Sequence, residues 1–336
     1  MSQEQAQALY QTLDQAIGIL QTQLETSYLD AFIEVGDDLI DGGQVRVENG
    51  RPDTEAVEKL TTLYRQINLN QLDEETIRRG LQLVLLKDVE TDAIDANHQL
   101  TPDTIGFLVA YLASRVIHRD QLNLLDLTVG TGNLLTTVIN QLAESNSVKI
   151  DSFGVDNDDS MLAAANVVGT LQKHDIQLFH QDALDPLVMP KADLVVSDLP
   201  VGYYPLDEHA KQFKTAAQSG HSYVHHLLLE QAVNQLTPGG WGIFLVPSEL
   251  FTSVEAKGLV EWIQTEAHLQ GLLNLPTELF INKAARKAIL MLQKKGGNAK
   301  QAGQVLLGEF PSFKDSNAVR QFTDQIDNWV AANIQK

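Results

Sequence analysis

Residues 126–132 read D-L-T-V-G-T-G, closing one apolar run and opening a helical pattern, and Asp156 closes the next apolar run. No other stretch restricts the fold as strongly. Glycines directly after a strand permit left-handed backbone and let a ligand approach the main chain. An acidic side chain at the end of the following strand accepts from ribose hydroxyls. Both features belong to the carboxyl edge of a doubly wound α/β sheet. The spacing also discriminates among ligands. A dinucleotide fingerprint carries a third glycine, and counting on from Gly130 and Gly132 that position holds Leu135.

After Asp95, apolar runs alternate with amphipathic helical stretches, the pattern of a mostly parallel sheet with crossover helices. Strands are expected at 124–127, 152–155, 177–180, 193–197, 242–246, 269–275 and 288–292. Leu134, Leu135, Val138, Ile139 and Leu142 place one apolar stripe on the helix after the first strand. A last helix over 317–334 carries Val319, Phe322, Ile326, Trp329 and Val330 on one face, as a cap over the core.

The first third differs. Leu9, Leu13, Ile17, Leu20 and Leu24 recur at helical spacing, as do Leu60, Leu63, Tyr64 and Ile67, with no alternating strand between them. Gly42 and Gly43, followed by Gly50, Arg51 and Pro52, mark a loop or small hairpin between helical blocks. Residues 1–100 carry 19 acidic against 7 basic side chains, whereas 251–336 carry 8 against 10. The expected organisation is an acidic all-α domain over 1–95 and an α/β domain with its cap helix over 96–336.

Composition narrows the function. The chain has 336 residues, 43% of them apolar, and no cysteine, which excludes disulfides and thiolate metal sites. Neither a leader nor a membrane-spanning run is visible, so a soluble, cytoplasmic protein is expected. The formal charge of −20 repels phosphates at long range. Lys283, Arg286 and Lys287 form a basic cluster of the size usual for a solvated face. The histidines lack H-E-x-x-H spacing, and a calcium loop begun at Asp156 would end on Val167 rather than glutamate, so no metal is expected. His225 and His226 are expected on the exposed edge of a helix.

The aspartate four residues before Gly130, in D-x-x-x-G-x-G, is the residue that class I methyltransferases carry. With Thr101-Pro102, H-Q-D-A-L at 180–184 and S-D-L-P at 197–200, the motif order over about residues 97–295 resembles the N6-adenine methyltransferase family. The likeness is to the modification subunits of type I restriction systems and their smaller YtxK-like relatives. It implies a Rossmann-like class I methyltransferase domain with a seven-stranded sheet. It also implies S-adenosyl-L-methionine (AdoMet) as cofactor. Asp126, Gly130 and Gly132 then line its methionine side, Asp156 the ribose and Asp182 the adenine; Thr128, Thr131, Asn133, Asn157 and Ala183 belong to the same cofactor-binding turns. Thr101-Pro102 helps seat AdoMet in the family. An equally good reading of that dipeptide is a capped helix, with Thr101 as N-cap and Pro102 at the first helical position.

The resemblance sets the transfer chemistry after the fourth strand, in Asp198-Leu199-Pro200-Val201-Gly202-Tyr203-Tyr204. The family there has Asn or Asp, two prolines and an aromatic ring. A flipped adenine donates its amine to the first side chain and to a backbone carbonyl while the ring holds the base face. Asp198 matches the acceptor and Pro200 the second proline. Leu199 replaces the first proline, and Val201 replaces the ring, a loss that Tyr203 or Tyr204 can offset if the loop turns one inward. Base stacking is worth ~1 to 3 kcal/mol elsewhere. The segment 206–222 is long enough to close over a substrate. Three functions follow: a DNA adenine N-methyltransferase using a separate specificity partner, an AdoMet-dependent methyltransferase of RNA, a small molecule or a protein amide, and an AdoMet-binding sensor that docks a partner or forms a homodimer through its helical domain.

Overall fold

The computed structural model describes residues 2–91, 100–146, 148–253, 255–280 and 285–334. The domain boundary expected at 95/96 and the side chain of Lys283 lie outside the described residues. Four helices come first: α1 (Ser2–Leu24), α2 (Tyr28–Ile40), α3 (Thr54–Tyr64) and α4 (Glu74–Thr91). Ser27 caps α2 by accepting from the Asp30 amide, and Asp53 caps α3 by accepting from that of Ala56. Between them the glycine-rich stretch forms a small hairpin, in which Glu48 and Arg51 exchange backbone hydrogen bonds of 2.8 and 2.9 Å.

The α/β part runs α5 (Asp103–Val116), β1 (Gln121–Asp126), α6 (Asn133–Asn146), β2 (Lys149–Asp156), α7 (Asp159–Leu171), β3 (Ile176–His180), β4 (Ala192–Asp198), α8 (Asp207–Ala210), α9 (Val224–Gln235), β5 (Leu236–Pro247), α10 (Ala256–Glu266), β6 (Ala267–Asn274), β7 (Lys287–Lys294), β8 (Leu306–Glu309) and α11 (Ser316–Asn333). Among the described residues these strands form one sheet in the order β3-β2-β1-β4-β5-β7-β6-β8. All seven expected strands and the cap helix are present. The additional strand, β8, is four residues of alternating partial burial that pair parallel to β6 at the sheet edge, too short to show a period in the sequence.

Strands β1 to β5 are parallel and β7 is antiparallel to both β5 and β6. The order reverses between β1 and β4, and ligands of open α/β sheets bind in the crevice at such a switch point. Alternate strand residues face opposite sides. Leu124, Leu194, Ile243 and Ile289 pack under α5, α6 and α11, while Leu125, Val195, Phe244 and Leu290 pack under α9 and α10.

The N-terminal helices do not close their own core. Leu13, Ile17, Phe32 and Val35 are completed by Ala164, Val167, Val168 and Leu171 of α7. Gly36 allows the contact: a Cβ there would lie 2.2 Å from Cγ1 of Val167. The helical region is thereby fixed to the sheet domain through the helix that follows β2.

Candidate functional site

Three strands end on aspartates at one edge of the sheet: Asp126 on β1, Asp156 on β2 and Asp198 on β4. Strand β7 runs the other way, so its first residue, Lys287, reaches the same edge. The turn after β1 has left-handed backbone at Gly130 (φ 50°) and Gly132 (φ 79°). Space above Gly130 is open, with no atom within 4 Å of where a Cβ would sit. The Gly130 amide donates to Oδ2 of Asp156 at 2.8 Å, and the Asp158 amide to its Oδ1 at 3.1 Å. Each of these carboxylate oxygens keeps a lone pair for a further donor.

Asp126 is buried. Its Oδ1 accepts from the Thr128 amide at 3.0 Å and from the Ser197 hydroxyl at 2.8 Å. Burial pushes its carboxyl up to about 7; the Thr128 and Ser197 hydrogen bonds pull the other way, and the neighbouring Asp156 and Asp198 charges add to the rise. Thr128 also donates its hydroxyl to the Asp198 carbonyl at 3.2 Å, joining the β1 and β4 turns.

Thr101 does not cap the helix it precedes. Helix α5 begins at Asp103, and the capping position is Pro102, whose carbonyl accepts from the Ile105 and Gly106 amides. Proline at the cap offers no side-chain acceptor, so the expectation of Thr101 as cap and Pro102 as first helical residue is off by one position. The Thr101 hydroxyl is directed instead to Oδ2 of Asp198 at 3.0 Å. Lys287 forms an ion pair with the other oxygen, Oδ1. It therefore does not belong to a solvated face; the reversed direction of β7, invisible as a charge pattern, brings it to Asp198.

Asn133 opens α6 and is turned to the scaffold: its amide nitrogen donates to the Thr101 carbonyl at 2.9 Å and its oxygen accepts from Arg78. Arg78, on α4, is fully buried and also bonds Asp103 and both oxygens of Glu75 at 2.8 Å. Sequence reasoning missed it. Its signal, an arginine among the apolar positions of a helix, needs the partner helices to be read. Thr131 is half-buried beside Gly130, and Asn157 is exposed.

After β3, Asp182 accepts from the Leu184 amide at 2.9 Å and from the Tyr204 hydroxyl at 2.5 Å, with Ala183 buried between them. Burial, and then that carboxylate, raise the Tyr204 hydroxyl above the ordinary tyrosine range. Tyr204 is therefore an internal strut to the Asp182 turn. Leu199 is fully buried, and its amide donates to the Leu245 carbonyl at 3.1 Å. Past Pro200, Val201 is 43% and Tyr203 58% exposed. The Tyr203 ring stacks on Tyr223 with centroids 4.8 Å apart, and Tyr223 stacks on His225 at 5.2 Å. The segment 206–222 is packed: Ala210, Phe213 and Thr215 are buried, and the Thr215 amide donates to Glu230.

His225 and His226 are buried, contrary to the expectation of an exposed edge. Helix α9 is covered on nearly every side, so adjacency of two histidines says nothing about solvent. Burial lowers His225 to about 3 and His226 to about 4, with the neighbouring His226 acting further on His225. A bond from the His225 ring to the Pro200 carbonyl opposes that fall and ties α9 to the loop after β4.

The sequence profile of the N-6 DNA Methylase family matches residues 84–330. The chain belongs to the N-6 DNA methylase family. The profile of the YtxK N-terminal helical domain matches residues 7–89. The YtxK protein of Bacillus subtilis (strain 168) is 38% identical over 332 residues, covering 98% of each chain. A crystal structure of a candidate class I S-adenosylmethionine-dependent methyltransferase from Listeria monocytogenes superposes with a TM-score of 0.90 at 41% identity, covering 97% of this chain and 99% of that one. The type I restriction-modification methyltransferase subunit of Streptococcus thermophilus has a TM-score of 0.68 at 13% identity over 98% of this chain and 94% of its own, a likeness of fold. Family and fold make this chain a methyltransferase. Among the described residues no helix is long and apolar enough to cross a membrane.

Proposed function

We propose that this N-6 DNA methylase family member transfers a methyl group from AdoMet to an exocyclic amine on a planar base, with adenine in DNA as the first candidate. The orientation of Asp198 carries the reading: a threonine free of capping duty holds its carboxylate at the switch point, beside the glycine turn. The open space over Gly130, the spare lone pairs of Asp156 and the buried carboxylate of Asp126 suit an AdoMet lying along the β1, β2 and β3 turns, with its ribose on Asp156 and its adenine beside Asp182. AdoMet supplies, when bound, a methyl group carried on a sulfonium, leaving S-adenosylhomocysteine. Asp198 accepts an amine N–H and leaves the nitrogen lone pair directed at the methyl; the nitrogen gains the methyl and gives up one proton, for which Asp198 is the nearby acceptor. Orientation and a polar cradle supply most of the rate in such a transfer.

Recognition of DNA is assigned to a separate partner. A charge of −20 opposes phosphate binding, and neighbours in fold include a modification subunit of a candidate type I restriction enzyme and a type I restriction-modification methyltransferase subunit. A second reading, an RNA base or protein amide as acceptor, is favoured by Val201, which brings no ring to the base face, while the exposed Tyr203 ring favours the base.

The deciding experiment is calorimetric titration with AdoMet, followed by labelled-methyl transfer to unmethylated DNA, RNA and cell extract. Label on DNA adenine that disappears with Asp198→Ala supports the proposal. Label confined to RNA or protein moves the substrate, and AdoMet binding with no transfer leaves a sensor.

A further inference from the structure

Each oxygen of Asp198 has one partner in the free protein, Oδ2 the Thr101 hydroxyl and Oδ1 Lys287, and each keeps a lone pair for a further donor. An amine that donates to Oδ1 does so beside the lysine. The lysine backbone is fixed at three points: Lys287 pairs with Pro247 across the β5–β7 ladder, its carbonyl accepts from the Leu275 amide at 3.1 Å, and the preceding Arg286 carbonyl accepts from the Ser248 amide at 2.9 Å. Only the four-carbon stem is left to move. The ammonium has three N–H donors on a flexible stem, so it can keep one on Asp198 and turn another to an acceptor beside it. Lys287 and Asp198 together then present one donor and one acceptor side by side.

We infer that Lys287 is a specificity-determining positioning residue of the acceptor site: it holds Asp198 and, when a neutral, planar amine enters, also donates to the acceptor atom adjoining that amine. The inference rests on the methyl-transfer reading above and deepens it. The pair fits an N–C=N or N–C=O unit, in which an NH2 group donates to Asp198 and the adjacent ring nitrogen or carbonyl oxygen accepts from Lys287. An alkylammonium has no such acceptor and is repelled by the lysine charge. A two-point contact of this kind discriminates by about tenfold or more against a partner lacking one group.

The test uses the full chain and its Lys287→Met and Lys287→Arg variants. Calorimetry with AdoMet checks the fold and cofactor turns, and Lys287→Met is expected to bind within about twofold of the parent. Proteins saturated with S-adenosylhomocysteine are then titrated, by fluorescence anisotropy, with a single-stranded oligonucleotide containing adenine and with the same strand containing 1-deazaadenine or 7-deazaadenine. Labelled-methyl transfer is measured on the same strands. The parent should disfavour the 1-deazaadenine strand, which lacks the ring nitrogen adjoining the amine, about tenfold in Kd and kcat/KM, with the 7-deazaadenine strand as the control; Lys287→Met should lose that preference, Lys287→Arg should retain part of it, and a preference against the 7-deazaadenine strand alone overturns the inference. Undiminished preference in Lys287→Met overturns the inference while leaving adenine methylation standing. If adenine takes no label but a glutamine-bearing peptide does, in a Lys287-dependent manner, the base reading falls and the inference holds. Label on a lysine-bearing peptide, or on no acceptor at all, overturns it.

Discussion

Arg78 on α4 and Asn133 at the start of α6 meet at 3.1 Å, so a fully buried cation of the helical region holds the residue that ends the glycine turn. Asn133 passes the contact to the Thr101 carbonyl, and the Thr101 hydroxyl passes it to Asp198. A chain of four residues thus leads from the N-terminal helices to Asp198.

Arg78→Leu leaves Glu75 and Asp103 without their shared cation and frees Asn133. The carboxylates left behind are partly exposed and Glu75 keeps Arg79 at 2.9 Å, so the cost is that of a hydrogen bond to a charged group, ~1.5 to 3 kcal/mol, rather than that of an uncompensated buried charge. The variant should therefore show a lower urea midpoint at unchanged slope, with weaker AdoMet binding. A loss below about 1 kcal/mol, the value of an exposed pair, would count against the network.

Thr101→Val separates capping from orientation. The side chain caps nothing in α5, and its hydrogen bond to a charged group is worth about 1.5 to 3 kcal/mol, so the thermal midpoint should fall by no more than a few degrees. Methyl transfer should fall by about tenfold or more in kcat with AdoMet affinity nearly unchanged. A large drop in melting temperature with kcat intact would show the threonine to be structural.

The sheet and the glycine turn after β1 were legible because they depend on short-range signals. Short apolar runs set between amphipathic helical stretches marked seven strands, and D-x-x-x-G-x-G with Asp156 located the turn between β1 and α6. Burial of His225 and His226 was not legible, since it depends on what packs over α9 from the 206–222 segment. Lys287 was misread as part of a solvated face and Arg78 was missed for a related reason: each acts across a long sequence separation, one through a strand that reverses direction and the other from a separate helical block. Tyr204 was placed in the right loop, but whether it faces a substrate or Asp182 is decided by tertiary packing.

Asp126 predicts a proton linked to the cofactor. Its carboxyl stands near 7, above the ordinary 3.8, so the folded state holds more protons than the unfolded chain between those values. Its contribution to stability is present at the acid end and is lost as pH rises through about 7. A cation bound beside it favours the charged form. AdoMet binding at pH 7 should then release about half a proton, seen as binding enthalpies that differ between phosphate and Tris buffers. Identical enthalpies in the two buffers would remove Asp126 from contact with the cationic end of AdoMet.

His225 and His226 predict the opposite slope. Their folded values, about 3 and about 4, lie below the ordinary 6.5. The unfolded chain therefore takes up protons first as pH falls, and the stability fully present above about 6.5 is lost progressively on the way down. Nδ1 of His225 and Nε2 of His226 have no hydrogen-bond partner in the fold, so protonation would place a donor where nothing accepts it. Since the His225 ring bonds the Pro200 carbonyl and stacks on Tyr223, the first structure to loosen should be the loop that carries Tyr203. Urea unfolding between pH 7.5 and 5 should show a falling midpoint, and hydrogen exchange should show early loss of protection around residues 199–204. His226→Phe, which keeps the apolar contacts and removes one titrating ring, should flatten the slope; a slope unchanged in that variant assigns the acid sensitivity to other groups.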